Sequence, residues 1–256
     1  MIITTFNVNS VRAHLENILN WIREFSPDVI LMQEIKCQTD VFPYMLFEEE
    51  GYNVKVLGQK TYNGVAILSR FSIEDVVYNL PTFPEDSSAR YIEALIDGRI
   101  RVASVYAPNG NPVPSDKFIY KQEWMKHFYE HISSLLNNDE PLILGGDYNV
   151  ALTDLEIYNP KAFEDDAITQ PESRRAMQDL FDLGLINAYR QFDSNGSAYT
   201  YYGYRGGCFQ KGYGIMLDYF LVNETARKII TDSGIDKTPR GEPKSSDHTP
   251  LWIEVK

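Results

Sequence analysis

The sequence predicts an α/β fold in which two β-sheets pack face to face between helices. Three observations carry this reading. Short apolar runs rich in β-branched and aromatic residues recur along all 256 residues, as strands do. Amphipathic stretches of helical period separate them. No linker, low-complexity tract or charge block divides the chain. Two packed sheets flanked by helices absorb so many strands best, and a single domain spanning residues 1–256 is the expectation.

The elements follow in order. Residues 2–6 read as a strand ending at Asn7, and residues 12–25 as a helix with Leu15, Ile18, Leu19, Ile22 and Phe25 on one face. Ser26-Pro27-Asp28 stops that helix, and the strand at 29–33 runs into Glu34. Strands are expected at 52–57, 64–69, 91–97 and 101–105, the last two joined through Asp97-Gly98-Arg99 as a hairpin. A long helix at 115–136 precedes a strand at 141–146. There Gly145-Gly146 is expected to let the backbone turn tightly, so that Asp147 and Asn149 project into one space. The acidic, irregular stretch 158–171 reads as a surface loop. A helix at 173–183 stops at Gly184, a strand occupies 215–222, a short helix 224–230, and a last strand follows Asp247-His248.

Composition narrows the function. At 43% hydrophobic and 23% charged, the chain has an ordinary globular composition. No apolar run approaches the roughly 20 residues of a membrane span. The first residues form a strand-like run without a basic leader, so no secretion signal is expected. Cys37 and Cys208 lack metal-type spacing, and so few cysteines point to a reducing compartment, the cytoplasm by default. A net charge of −12 excludes nonspecific polyanion binding over the whole surface. Contact with nucleic acid must then rest on a local basic patch or on a metal that neutralises phosphate.

Polar residues interrupt the apolar runs in a telling way. Asn7, Glu34, Tyr106, Asp147 and Asn149 follow strands, while Asp218 and Asp247-His248 stand at the start of strands. In an antiparallel sheet, strands of one direction end and strands of the other begin at the same rim, so these groups converge on one cleft. Carboxylates, carboxamides, a phenol and a histidine suit a hard, oxygen-ligated metal beside an acid/base apparatus. Singly, each has an ordinary reading as a turn, a cap or a solvated strand end. Asp218 is the exception: a carboxylate inside residues 215–222 needs a partner or costs several kcal/mol, and a histidine ring is the natural one. His127-Phe128-Tyr129-Glu130-His131 matches an H-x-x-E-H pattern but reads as a solvated helix face. The glycine patches at 205–207 and 212–214 lack phosphate-loop spacing.

Taken in order, six clusters resemble the exonuclease III family of abasic-site endonucleases, within the endonuclease/exonuclease/phosphatase superfamily. They are Phe6-Asn7-Val8-Asn9-Ser10-Val11-Arg12-Ala13, Gln33-Glu34-Ile35-Lys36, Tyr106-Ala107-Pro108-Asn109-Gly110, Gly145-Gly146-Asp147-Tyr148-Asn149-Val150, Leu217-Asp218-Tyr219 and Ser246-Asp247-His248. The resemblance spans nearly the whole chain. It implies a four-layered, deoxyribonuclease I-like α/β sandwich with its site at one rim. It implies a Mg²⁺-dependent (or Mn²⁺-dependent) DNA-repair hydrolase of base excision repair that cuts 5′ to an abasic sugar, with 3′-to-5′ exonuclease and 3′-phosphodiesterase activity. By the same resemblance Glu34 is the principal metal carboxylate. Asn7, Asp147, Asn149, Asp247 and His248 complete the metal set as ligands or close neighbours. Asp147 handles the proton of the attacking water or leaving oxygen, Asn149 and Tyr106 meet the scissile phosphate, and His248 contacts it while Asp218 orients the ring. Asn9, Arg12, Lys36, Asn109, Tyr201, Ile215 and Leu217 contact DNA, the last three walling the abasic-sugar pocket. The implied partner is duplex DNA with abasic sites or 3′ ends, bound by a monomer away from membranes. Two positions depart from the family: Tyr201 stands where Trp or Phe is common, and Met216 where Arg is common. The nearest alternative is a superfamily hydrolase of another phosphoester (RNA, an inositol phosphate or a sphingolipid). A non-catalytic nucleic-acid-binding relative is the more distant one.

Overall fold

The computed structural model describes residues 1–193 and 195–256. Its first half runs β1 (Ile2–Asn7), α1 (Leu15–Phe25), β2 (Val29–Gln33), α2 (Tyr44–Glu49), β3 (Asn53–Leu57), β4 (Val65–Ser69), β5 (Ile73–Tyr78), β6 (Tyr91–Ile96) and β7 (Ile100–Tyr106). There follow α3 (Asp116–Leu135), β8 (Leu142–Asp147), α4 (Pro171–Asp182), β9 (Ile186–Asn187), α5 (Cys208–Lys211) and β10 (Asp218–Val222). The chain closes with α6 (Glu224–Arg227), β11 (Ile230–Ile235), α7 (Thr238–Gly241) and β12 (Leu251–Val255).

The strands form two six-stranded sheets, ordered β11-β12-β1-β2-β4-β3 and β5-β6-β7-β8-β10-β9. Each is mixed: β1 with β2 and β7 with β8 are parallel, and their other pairings are antiparallel. Alternation along the strands builds the layers. Val29, Leu31, Val65 and Ile67 point between the sheets and meet Val102, Ile143 and Phe220 in one core. Ile30, Met32, Ala66 and Leu68 point the other way and pack on Ile18 and Ile22 of α1. On the far side of the second sheet, Trp124 and Phe128 of α3 and Met177 and Leu180 of α4 complete the same core. Helix, sheet, sheet, helix: the four layers are as expected. No helix among the described residues is long and apolar enough to cross a membrane.

The turn at Asp97-Gly98 forms as its sequence demands, with both residues at positive φ (54° and 60°) and Arg99 N–H bonded to Ile96 O at 3.0 Å. Gly145 and Gly146 differ from expectation. They lie inside β8, without positive φ, and serve close approach instead of a turn. A Cβ at Gly146 would stand 2.0 Å from the carbonyl oxygen of Val105, and one at Gly145 would stand 2.6 Å from the Phe220 ring. The H-x-x-E-H stretch also differs. His131 is buried, with Nε2 2.7 Å from Glu93 Oε2, and His127 stacks on Phe83 at 4.2 Å. Both histidines thus turn toward the protein, leaving Glu130 as the solvated part of the stretch.

Candidate active site

The registers put the polar strand ends side by side. Tyr106 pairs with Asp147 across the parallel β7–β8 ladder, and Asp218 pairs with Asp147 across the antiparallel β8–β10 ladder. In the other sheet β1 and β2 end in register at Asn7 and Gln33, and β12 begins just after His248. Ser246 donates a 2.7 Å hydrogen bond to the Asn7 carbonyl, fastening the His248 turn to the end of β1. Both sheets therefore present their functional ends at one rim. The intervening backbone is strained: Asn9, Ser10, Glu34, Lys36 and Asn149 all adopt positive φ. Such conformations cost of order 1–3 kcal/mol each and concentrate at functional sites.

A cleft of about 290 Å³ opens there. It gathers Asn9, Glu34, Lys36, Tyr106, Asn109 and Asp147, together with Asn149, Tyr201, Ile215, Leu217, Asp247 and His248. Three expected residues sit elsewhere. Asn7 and Asp218 are wholly buried behind the cleft, and Arg12 is exposed in a neighbouring groove beside Pro239 and Lys244. Four further lining residues gave no sequence signal: Asn111, Phe163, Asp166 and Ile168. The last three belong to the stretch read as a surface loop, which in fact forms a wall of the cleft. Ile168, Ile215 and Leu217 pack there as a small apolar cluster with Phe163 and Tyr201 against it. Met216 is fully buried, so the departure from Arg at that position lies in the core.

Hydrogen bonds fix the polar groups. Asn7 Nδ2 donates to Glu34 Oε1 and to Asp147 Oδ2, both at 2.9 Å, while its Oδ1 accepts from Asn9 N–H at 3.0 Å. Lys36 Nζ lies 2.7 Å from Glu34 Oε2 and also donates to Asn9 Oδ1. Asn9 Nδ2 in turn donates to Asp247 Oδ1 at 2.9 Å. On the other side His248 Nδ1 is 2.8 Å from Asp218 Oδ2, and its Nε2 is 3.8 Å from Asp147 Oδ2. Tyr201 meets the imidazole edge to face, with ring centroids 5.1 Å apart. Asn109 Nδ2 donates to Asn149 Oδ1 at 3.2 Å, and Asn149 Nδ2 donates to the Ala107 carbonyl at 3.0 Å.

These surroundings set protonation. Burial alone would discharge His248, but the charge and hydrogen bond of Asp218, with Asp147 and Asp247, outweigh it and lift the imidazolium to about 10. Burial dominates at Asp147 and raises its carboxyl to about 7; Asp218 and Glu34 push the same way, against His248. At Glu34 burial is opposed and overcome by Lys36 and Asn7, holding it below the usual carboxylate range. Burial and the neighbouring Glu34 push the Tyr106 phenol well above its ordinary value, so it stays a donor.

The donor set fits a hard cation. Among the described residues Glu34, Asp147, Asp218 and Asp247 have Lys36 and His248 as their ion-pair partners. That leaves an excess of two negative charges when all are ionised, which one divalent ion balances, and no thiolate is present to favour a softer metal. Ligand atoms of Asp147, Asp218 and His248 lie within 4.8 Å of one another. That trio is closed by the imidazolium, which has no lone pair to give. Asn7 turns N–H toward the carboxylates, and the Asn149 amide is already engaged. Of the expected metal set, Glu34, Asp147 and Asp247 keep oxygens suited to the ion.

Comparison with known proteins fits this site. A sequence model of the endonuclease/exonuclease/phosphatase family matches residues 4–248. The chain belongs to this family, in its exonuclease III branch. It is 30% identical to exodeoxyribonuclease III of Haemophilus influenzae, over 98% of each chain. Among solved structures, the 3′ phosphatase NExo from Neisseria bound to a product DNA hairpin superposes with a TM-score of 0.96 at 36% identity, covering 100% of this chain and 99% of that one. An AP endonuclease from Archaeoglobus fulgidus superposes at 0.95 with 33% identity, again over 100% and 99%. The fold is the deoxyribonuclease I-like sandwich of these enzymes.

Proposed function

We propose that this chain is a divalent-metal-dependent DNA-repair phosphodiesterase that hydrolyses the backbone 5′ to an abasic site and also trims 3′ ends as a 3′-to-5′ exonuclease and 3′-phosphodiesterase. It works as a monomeric, single-domain enzyme of a reducing compartment, the cytoplasm, on duplex DNA. One observation carries the reading. The carboxylate and imidazolium cluster around Asp147 shares its cleft with an apolar wall of Tyr201, Ile215 and Leu217, a shape for a base-free sugar beside its phosphate.

Phosphodiester hydrolysis needs positioning and charge neutralisation more than covalent chemistry. Asp147, poised near neutrality, takes the proton of the attacking water; a base works best near its operating pH. His248, kept charged and aimed by Asp218, sets a positive charge beside the phosphate. Tyr106 donates its phenolic hydrogen bond to a phosphate oxygen, and the amides of Asn109 and Asn149 hold the water and the phosphate. Lys36 and Asn9 line the entry to the metal side. Glu34, Asp147 and Asp247 would hold Mg²⁺, with Mn²⁺ able to replace it, and the ion would supply neutralisation of phosphate charge. Arg12, outside the cleft, serves DNA further along the duplex.

The test compares a duplex bearing one abasic sugar with the same duplex carrying thymidine there. Internal cleavage at the marked position should appear only in the first, and Asp147→Asn should abolish it. Equal rates on both duplexes would overturn the substrate assignment.

A further inference from the structure

Lys121 is a lysine of α3 with no solvent exposure. A buried ammonium costs several kcal/mol unless paired, and an apolar residue of similar size is often the more stable choice. Among the described residues no carboxylate lies within ion-pair distance of it. Its Nζ donates instead to two main-chain carbonyls, that of Asn149 at 2.6 Å and that of Asn109 at 3.2 Å. These are the two residues whose side-chain amides are bonded to each other at the cleft. The stem is fitted as closely as the head. Gly110 adopts φ +90°, and a Cβ there would come within 2.8 Å of Lys121 Cδ. Asn149 itself is held at φ +51°, a strained conformation that its carbonyl's partner helps fix.

We infer that Lys121 is a positioning residue for the phosphate-hydrolysing site: its buried side-chain nitrogen ties the 109 and 149 loops together from behind and aligns their amide pair. For its effect on turnover the inference rests on the proposed phosphodiesterase reading. An amide pair held in place from behind is preorganised and needs no rearrangement as charge develops on the phosphate.

The experiment substitutes Lys121→Met, which keeps the length of the stem and removes the donor, and measures kcat, KM and the urea unfolding midpoint. The expected result is a loss of at least about tenfold in kcat, with KM for abasic duplex within about twofold and a lowered midpoint with unfolding still cooperative, since two main-chain carbonyls lose their donor. Combined with Asn109→Ala, the losses should be less than multiplicative, because the lysine acts through that amide. An unchanged kcat, multiplicative losses, or a Lys121→Met protein that fails to fold would each overturn the role. Side-chain amide resonances of Asn109 and Asn149 give a readout that needs no substrate. They should shift in Lys121→Met, and unshifted resonances would contradict the positioning. A wild type inactive on abasic duplex, with the resonances shifted, would tell against the reaction and leave the positioning intact.

Discussion

Nδ1 of His248 stands 2.8 Å from Oδ2 of Asp218, and both side chains are buried, one at the edge of each sheet's functional rim. A histidine cannot stay charged in such a place without its carboxylate. The pair therefore acts as a unit. Asp218→Ala and His248→Ala should each reduce kcat by roughly 100-fold, the scale of losing one preorganised electrostatic contact. The double variant should be little worse than His248→Ala alone. Steady-state kinetics of the three proteins decides it, and multiplicative losses would mean independent roles.

The same pair has a signature in stability. His248 rises from an ordinary 6.5 to about 10 on folding. A group whose pKa is raised in the folded state stabilises fully below its unfolded value and loses that contribution as pH climbs through the folded one. Asp147, lifted to about 7, acts in the same direction at lower pH. Lys121, lowered by burial to about 7, acts in the opposite direction over the same range, so the His248 contribution is read as a difference between proteins. The urea midpoint of metal-free wild type minus that of Asp218→Asn, where the main stabiliser of the imidazolium is gone, should shrink as pH goes from about 6.5 to about 10. A difference that stays constant or grows across this range would contradict the assignment.

Glu34 lines the cleft on the metal side, its Oε2 held by Lys36 at 2.7 Å. Glu34→Gln should weaken divalent-ion binding by at least 10-fold, on the order of losses seen when metal-site groups are altered, and should leave the circular dichroism spectrum unchanged. Calorimetric titration with Mg²⁺ measures this directly; wild-type affinity in the variant would remove Glu34 from the metal site.

Substrate choice is expected to rest on shape. With a net charge of −12, long-range attraction to DNA is weak. Each phosphate neutralised by Lys or Arg adds about 0.9 to the log–log salt slope, so a shallow slope is predicted. Tyr201→Ala should depress abasic-site cleavage more than binding to undamaged duplex. Binding and cleavage across a salt series test both statements: a steep slope, or equal losses on the two substrates, would point to a basic face elsewhere.

Much of this was legible in the sequence for a physical reason. Strand ends that must turn polar at one rim leave a pattern, and Glu34, Tyr106, Asp147 and His248 stood out by it. Elements without such a pattern were missed. β5 (IEDVVY) is an edge strand with a bulge between Glu74 and Val77, and β11 (ITDSGI) is an edge strand with little apolar content. α2 is six residues long with only Phe47 buried, too short to show a period. The helix expected from residue 12 begins at Leu15, because His14 N–H bonds to Ser10 O in a preceding turn. The wall formed by Phe163, Asp166 and Ile168 is the end of a short 3-10 helix (Pro160–Phe163) followed by turns, too short and irregular to leave a periodic pattern. Lys121 was hidden in an otherwise ordinary amphipathic helix; only its burial distinguishes it.

The most direct measurement follows a duplex oligonucleotide with one abasic site, each end labelled separately, incubated with Mg²⁺ and with chelator. The account predicts a single cut immediately 5′ to the abasic sugar, slower shortening from 3′ ends, and neither in chelator. An intact duplex in Mg²⁺, a cut on the 3′ side of the sugar, or cleavage that persists in chelator would contradict it.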